Sequence, residues 1–164
     1  MNKKIKIYLA GPLGFSEVGR QFHSNIIIPA IKKLGFSYYD PWNTRLNKQI
    51  KEVSSLEYGK RKRSAWYKLN LELGKLNTTE IESSDIILAV LDGVDVDSGT
   101  AAEIGYAFAK GKKILGYRGD FRLSADNDGS TVNLQVEYFI RASGGTIITT
   151  IKQLNTELKK LAAL

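Results

Sequence analysis

Four carboxylates crowd the segment Leu91-Asp92-Gly93-Val94-Asp95-Val96-Asp97-Ser98-Gly99-Thr100-Ala101-Ala102-Glu103. So many acids in so short a stretch are costly unless they are solvated, paired or used. Glu103 is expected in the first turn of a helix, where the dipole and free backbone amides favour the ionised form. A nucleophile needs that form. Asp97 precedes the helix and can lie beside Glu103. Two carboxyl groups about 5 Å apart are the arrangement of retaining glycosidases, one attacking and one serving as acid and base. Blander readings compete. Thr100-Ala101-Ala102-Glu103 has the spacing of a capping box. Asp95 or Asp97 can be a simple N-cap, and several Asp residues together can hold a divalent cation.

A second candidate is Tyr8-Leu9-Ala10-Gly11-Pro12. Gly11 would let backbone amides approach a ligand closely; the bland reading is a strand end and a turn. This is neither a G-x-x-x-x-G-K-[ST] loop nor a G-x-G-x-x-G fingerprint, so neither ATP nor a dinucleotide is expected. Phe15 and Trp42 can stack on a base, although most aromatics are core. Asn77 and Asn133 lie within or beside apolar helices, where exposure or capping is the plain explanation.

The elements that must position these residues alternate. Ile5 to Ala10 reads as a strand stopped by Gly11-Pro12. Ser16 to Leu34 is mostly helical, with Pro29 forcing a kink or a restart and Gly35 as the stop. Phe36 to Tyr39 is a short strand. Trp42 to Lys60 has no clear period and reads as a long loop with some helical turns, a segment type that is often functional. Ala65 to Ser83 is a helix, with Leu69, Leu73, Leu76 and Ile81 as apolar positions. Ile86 to Leu91 is a continuous apolar run, as in a central parallel strand. Gly99 to Lys110 is a helix, Lys113 to Tyr117 a strand, Arg118 to Ser130 a polar loop and Val132 to Ile140 a helix. Thr146 to Thr149 and Ile151 to Leu161 close the chain as strand and helix.

This order implies an α/β fold with a five-stranded doubly wound parallel sheet, flavodoxin-like or Rossmann-like, and helices on both faces. Residues 1–164 are expected to form a single domain. Such sheets bind ligands at the carboxyl ends of the strands near the switch point. The segments after Ala10, Tyr39, Leu91 and Tyr117 are therefore expected around one cleft.

Bulk properties exclude several classes. Apolar residues make up 43% and charged residues 25%, which suits a packed domain rather than a disordered chain. There is no cysteine, hence no disulfide framework and no thiolate metal site. The single histidine, His23, argues against a histidine-based metal centre, and no metal is expected. Met1-Asn2-Lys3-Lys4 leads directly into the first strand without a visible signal peptide. No apolar stretch approaches about 18 residues, so no membrane partner is expected and the location reads as cytoplasmic. The net charge is +7, with clusters at Lys60-Arg61-Lys62-Arg63, Lys112-Lys113 and Lys159-Lys160. Solvated faces explain these clusters better than nucleic acid does, and a basic surface also attracts small anions.

Taken together, the chain resembles the nucleoside 2-deoxyribosyltransferase family. The resemblance rests on Tyr8 to Pro12, Asp85, Leu91-Asp92-Gly93 and, most specifically, Asp97-Ser98-Gly99-Thr100-Ala101-Ala102-Glu103-Ile104-Gly105-Tyr106-Ala107. Asp120-Phe121-Arg122 and Val132-Asn133-Leu134 match later family segments. The resemblance implies that Glu103 is the nucleophile, forming a 2-deoxyribosyl ester. It implies that Asp97 binds the base and moves its proton, and that Tyr8 positions Glu103. It implies that Asn133 reaches a neighbouring subunit's site at the sugar 5'-hydroxyl. Gly11, Pro12, Phe15, Trp42, Asn77, Asp92 and Gly99 complete the expected substrate contacts. The implied activity is transfer of 2-deoxyribose between purine or pyrimidine bases, with deoxynucleosides and free nucleobases as partners. Homo-oligomers with composite sites and no cofactor are implied as well.

Three features depart from the family pattern. Asn77 lies eight residues before Asp85, where several members carry an Asp at the sugar. The chain ends in Leu161-Ala162-Ala163-Leu164, without an aromatic segment. Val136-Glu137 follows Val132 to Gln135, a weaker match. Two other readings stand beside transfer. One is hydrolysis of deoxynucleoside 5'-monophosphates, with a phosphate pocket from Arg20, Ser16 or a partner subunit's Ser130. The other is nucleotide binding without catalysis.

Overall fold

The computed structural model describes residues 4–163; the readings at Met1 to Lys3 and at Leu164 lie outside the described residues. Five parallel strands form one sheet in the order β2-β1-β3-β4-β5. They are β1 (Lys6–Ala10), β2 (Ser37–Tyr39), β3 (Ile86–Val90), β4 (Lys113–Tyr117) and β5 (Ile147–Ile148). The expected doubly wound α/β sheet is present, and its order reverses between β1 and β3. Tyr8 lies opposite Ile87, and Ala10 opposite Ala89.

Side-chain alternation splits the core. Ile7, Leu9, Ile86, Leu88 and Val90 face one side, against Ile27 and Ile31 and against Leu154, Leu158 and Leu161 of the closing helix. Tyr8, Ala10, Ile87, Ala89 and Leu91 face the other, against Ile81, Ile104, Ala107, Val136 and Ile140. β3 is buried at every position, which is why its sequence shows no alternation.

The first helical stretch is interrupted. Helix α1 (Glu17–Phe22) is capped by Ser16, whose side chain accepts from the Gly19 amide. A π-helical turn covers His23–Ile27, and α2 (Ile28–Lys33) follows. Pro29 has no N–H to donate, and its ring would clash in an unbroken helix. The wider π turn ahead of it relieves that clash.

Helix α3 (Asn47–Ser55) lies where the sequence read as a loop with some helical turns. Its apolar side is only Ile50 and Val53, which pack with Leu46 against Leu69, Leu73, Leu76 and Trp66. That stripe is too narrow to show as a period. Helix α4 (Lys60–Ser83) starts before Ala65, because Lys60 to Arg63 form a solvated first turn of good helix formers. Helices α5 (Ser98–Ala109), α6 (Leu134–Ala142) and α7 (Ile151–Ala162) complete the chain. Helix α6 begins at Leu134 rather than Val132. Asn133 caps it, accepting from the Gln135 and Val136 amides, while Val132 is buried. Among the described residues no helix is long and apolar enough to cross a membrane.

Candidate active site

A cleft of about 690 Å³ opens at the carboxyl ends of β1 and β2, between the sheet and the α3–α4 pair. Gly11 and Phe15 line it from the turn after β1, and Pro41 and Trp42 from the segment after β2. Asp97, Gly99, Thr100 and Glu103 line it from the start of α5. The segment after Tyr117 does not line it. That segment is tied instead to the loop after β3: the Asp120 amide donates to Asp92 Oδ1 at 2.9 Å. The buried Arg118 guanidinium donates to the carbonyls of Leu91, Gly93 and Arg122.

Asp97 is the N-cap of α5. Its Oδ2 accepts from the Thr100 amide at 2.9 Å and from Thr100 Oγ1 at 3.0 Å. The capping-box reading of Thr100 to Glu103 is thereby excluded, because the cap lies one turn earlier. Glu103 accordingly sits in the second turn, beyond the free amides, and not in the first. Asp95 accepts from the adjacent Val96 amide at 2.7 Å. No group of three or more His, Asp or Glu residues suited to a metal ion occurs among the described residues.

Tyr8 is fully buried on β1, and its hydroxyl donates to Glu103 Oε1 at 2.5 Å. Burial pushes the Glu103 carboxyl up to about 7; the Tyr8 hydrogen bond opposes this and the Asp97 charge adds to it. The helix dipole does not hold Glu103 ionised, as its position suggested. Loss of water dominates. Burial and then Glu103 itself raise the Tyr8 phenol far above its usual range, so Tyr8 acts only as a donor. The Tyr39 ring stacks on Tyr8 with centroids 5.5 Å apart. Its phenol is pushed up to about 12, chiefly by burial, and it donates to Asn77 Oδ1 at 3.5 Å. Glu103, Tyr8, Tyr39 and Asn77 thus form one side-chain series along the floor.

The aromatic wall has its own construction. Trp42 Nε1 donates to the Gly11 carbonyl at 3.1 Å, and Phe15 meets the indole edge-on with centroids 4.6 Å apart. The indole lies directly over Gly14, where a Cβ would stand 1.9 Å from the ring. Gly11 has φ 150, and a Cβ there would come 2.9 Å from Val90 Cβ.

Of the residues expected in the site, Gly11, Phe15, Trp42, Asn77, Asp97, Gly99 and Glu103 line this cleft, with Tyr8 on Glu103. Pro12 starts the turn Pro12–Phe15 and Asp92 braces the loops, both outside the cleft lining. Asn133 caps α6 and reaches Asp126 Oδ1 at 3.4 Å, away from this chain's cleft. Sequence reasoning missed Pro41, Asn47, Ile50, Lys51, Trp66, Asn70, Leu73 and Thr100. A signal existed on α4. Trp66, Asn70, Leu73 and Asn77 recur at helical spacing, a stripe beside the apolar one.

A sequence model described as nucleoside 2-deoxyribosyltransferase matches residues 7–135. Among solved structures, a conserved protein from Enterococcus faecalis aligns with TM-score 0.68 and 23% identity, covering 96% of this chain and 99% of its own. A 2-desoxiribosyltransferase from Leishmania mexicana aligns with TM-score 0.63 and 22% identity, covering 94% and 97%. A CMP N-glycosidase from Clostridium botulinum aligns with TM-score 0.55 and 17% identity, covering 95% and 98%. These likenesses carry the fold. No curated protein matches the chain. The family match spans most of the sequence, and the chain belongs to the nucleoside 2-deoxyribosyltransferase family.

Proposed function

We propose that this family member cleaves the N-glycosidic bond of 2'-deoxynucleosides and transfers the 2-deoxyribosyl group to another purine or pyrimidine base. The observation that carries the reading is Glu103, held by the Tyr8 hydroxyl at 2.5 Å in a cleft that Asp97 and Trp42 also line. In this reading the Glu103 carboxylate attacks the anomeric carbon. The C–N bond breaks toward the base, which is protonated from solvent by relay through the Asp97 carboxylate. An acceptor base then attacks the glutamyl ester and passes its N–H proton back through Asp97 to solvent, and Glu103 leaves as carboxylate. Two displacements give net retention. The nearby carboxylate stabilises the oxocarbenium-like transition state. The mechanism uses the chain's own side chains and needs no cofactor.

Desolvation makes Glu103 a scarce but reactive nucleophile near neutrality. The Tyr8 hydrogen bond steadies its ionised form without competing as a base. Asn77 can hydrogen-bond the sugar but cannot supply a proton. Asn133 lies outside its own chain's cleft, so its part in the sugar contact requires a homo-oligomer with composite sites.

Hydrolysis of deoxynucleoside 5'-monophosphates is the second reading, and one feature favours it. Lys51 lines the cleft and has no ion-pair partner among the described residues. The other phosphate candidates are placed elsewhere. Ser16 caps α1, Arg20 donates to the Gly14 carbonyl, and Ser130 lines a separate hollow with Tyr138 and Arg141. Deoxyinosine incubated with adenine, and alone, decides between them when bases and nucleosides are followed by chromatography. Deoxyadenosine formed only with adenine, and lost in Glu103→Ala, supports transfer. Base release from deoxynucleoside monophosphates alone supports the hydrolase. Ligand binding without turnover, unchanged in Glu103→Ala, supports a binding module.

A further inference from the structure

We propose that His23 is a positioning residue for the aromatic wall of the cleft, holding Trp42 in place through Asp40. The inference rests on the reading of this cleft as a base-binding site. His23 is 8% exposed, on the π turn that Pro29 imposes. Its Nε2 lies 3.1 Å from Asp40 Oδ1 and makes no aligned hydrogen bond, so Asp40 is the polar group that this buried atom faces. The same Oδ1 accepts the Trp42 amide at 3.0 Å, and the Asn43 amide closes the turn on the Asp40 carbonyl at 3.0 Å. Trp42 then crosses to the Gly11 carbonyl and meets Phe15. A path of polar contacts therefore runs from the interior of the α1–α2 stretch to the ring that faces the substrate.

His23 does not touch the substrate itself. The void between His23, Trp42 and Gly11 is only about 10 Å³, too small for any substrate group. A simple core histidine would need no acid beside it, and an Asx turn at Asp40 would need no buried imidazole behind it. Both occur together, on the one acid that fixes the backbone of Trp42.

The test compares His23→Leu, which keeps bulk, with His23→Gln, which can restore a donor near Nε2. The expected result for His23→Leu is a KM for the acceptor base raised about fivefold with little change in kcat, rescued in His23→Gln. In a Trp42→Phe background the same substitution should add almost nothing, since the effect travels through the indole. Equal KM values, or an undiminished effect in Trp42→Phe, would overturn the proposal. Acrylamide quenching of Trp42 fluorescence, read in a Trp66→Phe background, is independent of turnover. His23→Leu should increase that quenching even if the protein proves not to transfer deoxyribose. Unchanged quenching there would sink the positioning role while leaving the proposed function standing.

Discussion

On the floor of the cleft, Tyr8 projects from strand β1 and Glu103 from α5, the helix packed on that same face of the sheet. On the outer wall, Asn47, Lys51, Trp66 and Asn70 project from α3 and α4, which pack on each other through Leu46, Ile50, Val53 and Leu69. The floor is the more buried region, with Tyr8 fully enclosed and Glu103, Tyr39 and Asn77 half-buried, and its groups are mutually in contact. The wall is wetter, and Lys51, Asn70 and Trp42 keep exposed surface. The difference separates two tasks. A reacting carboxylate needs fixed geometry and a shifted proton affinity, which only packing supplies. Recognition of variable bases needs area and adaptable polar groups, which a helix pair can offer without disturbing the core.

Substitutions can break this division, beginning with the largest effect. Glu103→Ala should lower kcat by at least about a thousandfold while deoxynucleoside binding persists, measured by single turnover and by calorimetry. A small loss would move the nucleophile elsewhere. Next come the two neighbours of Glu103, which should pull its titration in opposite directions. In the parent protein kcat/KM should rise with pH through about 7, as Glu103 ionises. Tyr8→Phe removes the bond that favours the ionised form, so the midpoint should move up and kcat should fall by about 10- to 100-fold. Asp97→Asn removes a repelling charge, so the midpoint should move down. It also retains a good cap, so the melting temperature should change little.

Stability should run against activity over the same pH range. The Glu103 carboxyl titrates higher in the folded chain than in the unfolded one. Its neutral form is tolerated at low pH, and the cost of ionising it in the fold grows from about 4.5 to about 7. Glu103→Gln should therefore gain roughly 3 kcal/mol relative to the parent between pH 4 and pH 8, read by denaturant titration. A gain that does not depend on pH would show that burial is not what raises Glu103. The smallest effects belong to the wall. Lys51→Met or Trp66→Leu should change KM by about three- to tenfold, differently for different bases, with kcat almost constant.

The same division decides what could be read from the sequence. Asp97 and Glu103 were legible because six residues on one helix carry both into the cleft, whatever else the chain does. β3 was legible because burial on both faces leaves an unbroken apolar run. The helix start was legible to within one residue, Gly99 for Ser98, but Glu103 was assigned to the first turn, the register that a capping box from Thr100 would give. That placed Glu103 one turn too early and with the wrong electrostatics. Its raised carboxyl depends on Tyr8, Tyr39 and the sheet, all distant in sequence. Helix α3 was illegible because docking on α4 takes only Ile50 and Val53, and the rest of its surface is polar. His23 read as evidence against a metal centre; the link to Asp40 exists only once the π turn has rotated it inward.

Arg118 gathers the carbonyls of Leu91, Gly93 and Arg122 onto one buried guanidinium. The loop after β3 and the loop after β4 are thereby clamped together at a single point, whereas the polar stretch from Leu123 to Ser130 lies downstream of that clamp. Changes of loop length after Asp126, which stays bonded to the Leu134 amide, should be tolerated with the start of α5 undisturbed, and those between Tyr117 and Arg122 rejected. For anyone grafting a new segment beside this cleft, the guanidinium marks where the rigid frame ends and replaceable sequence begins.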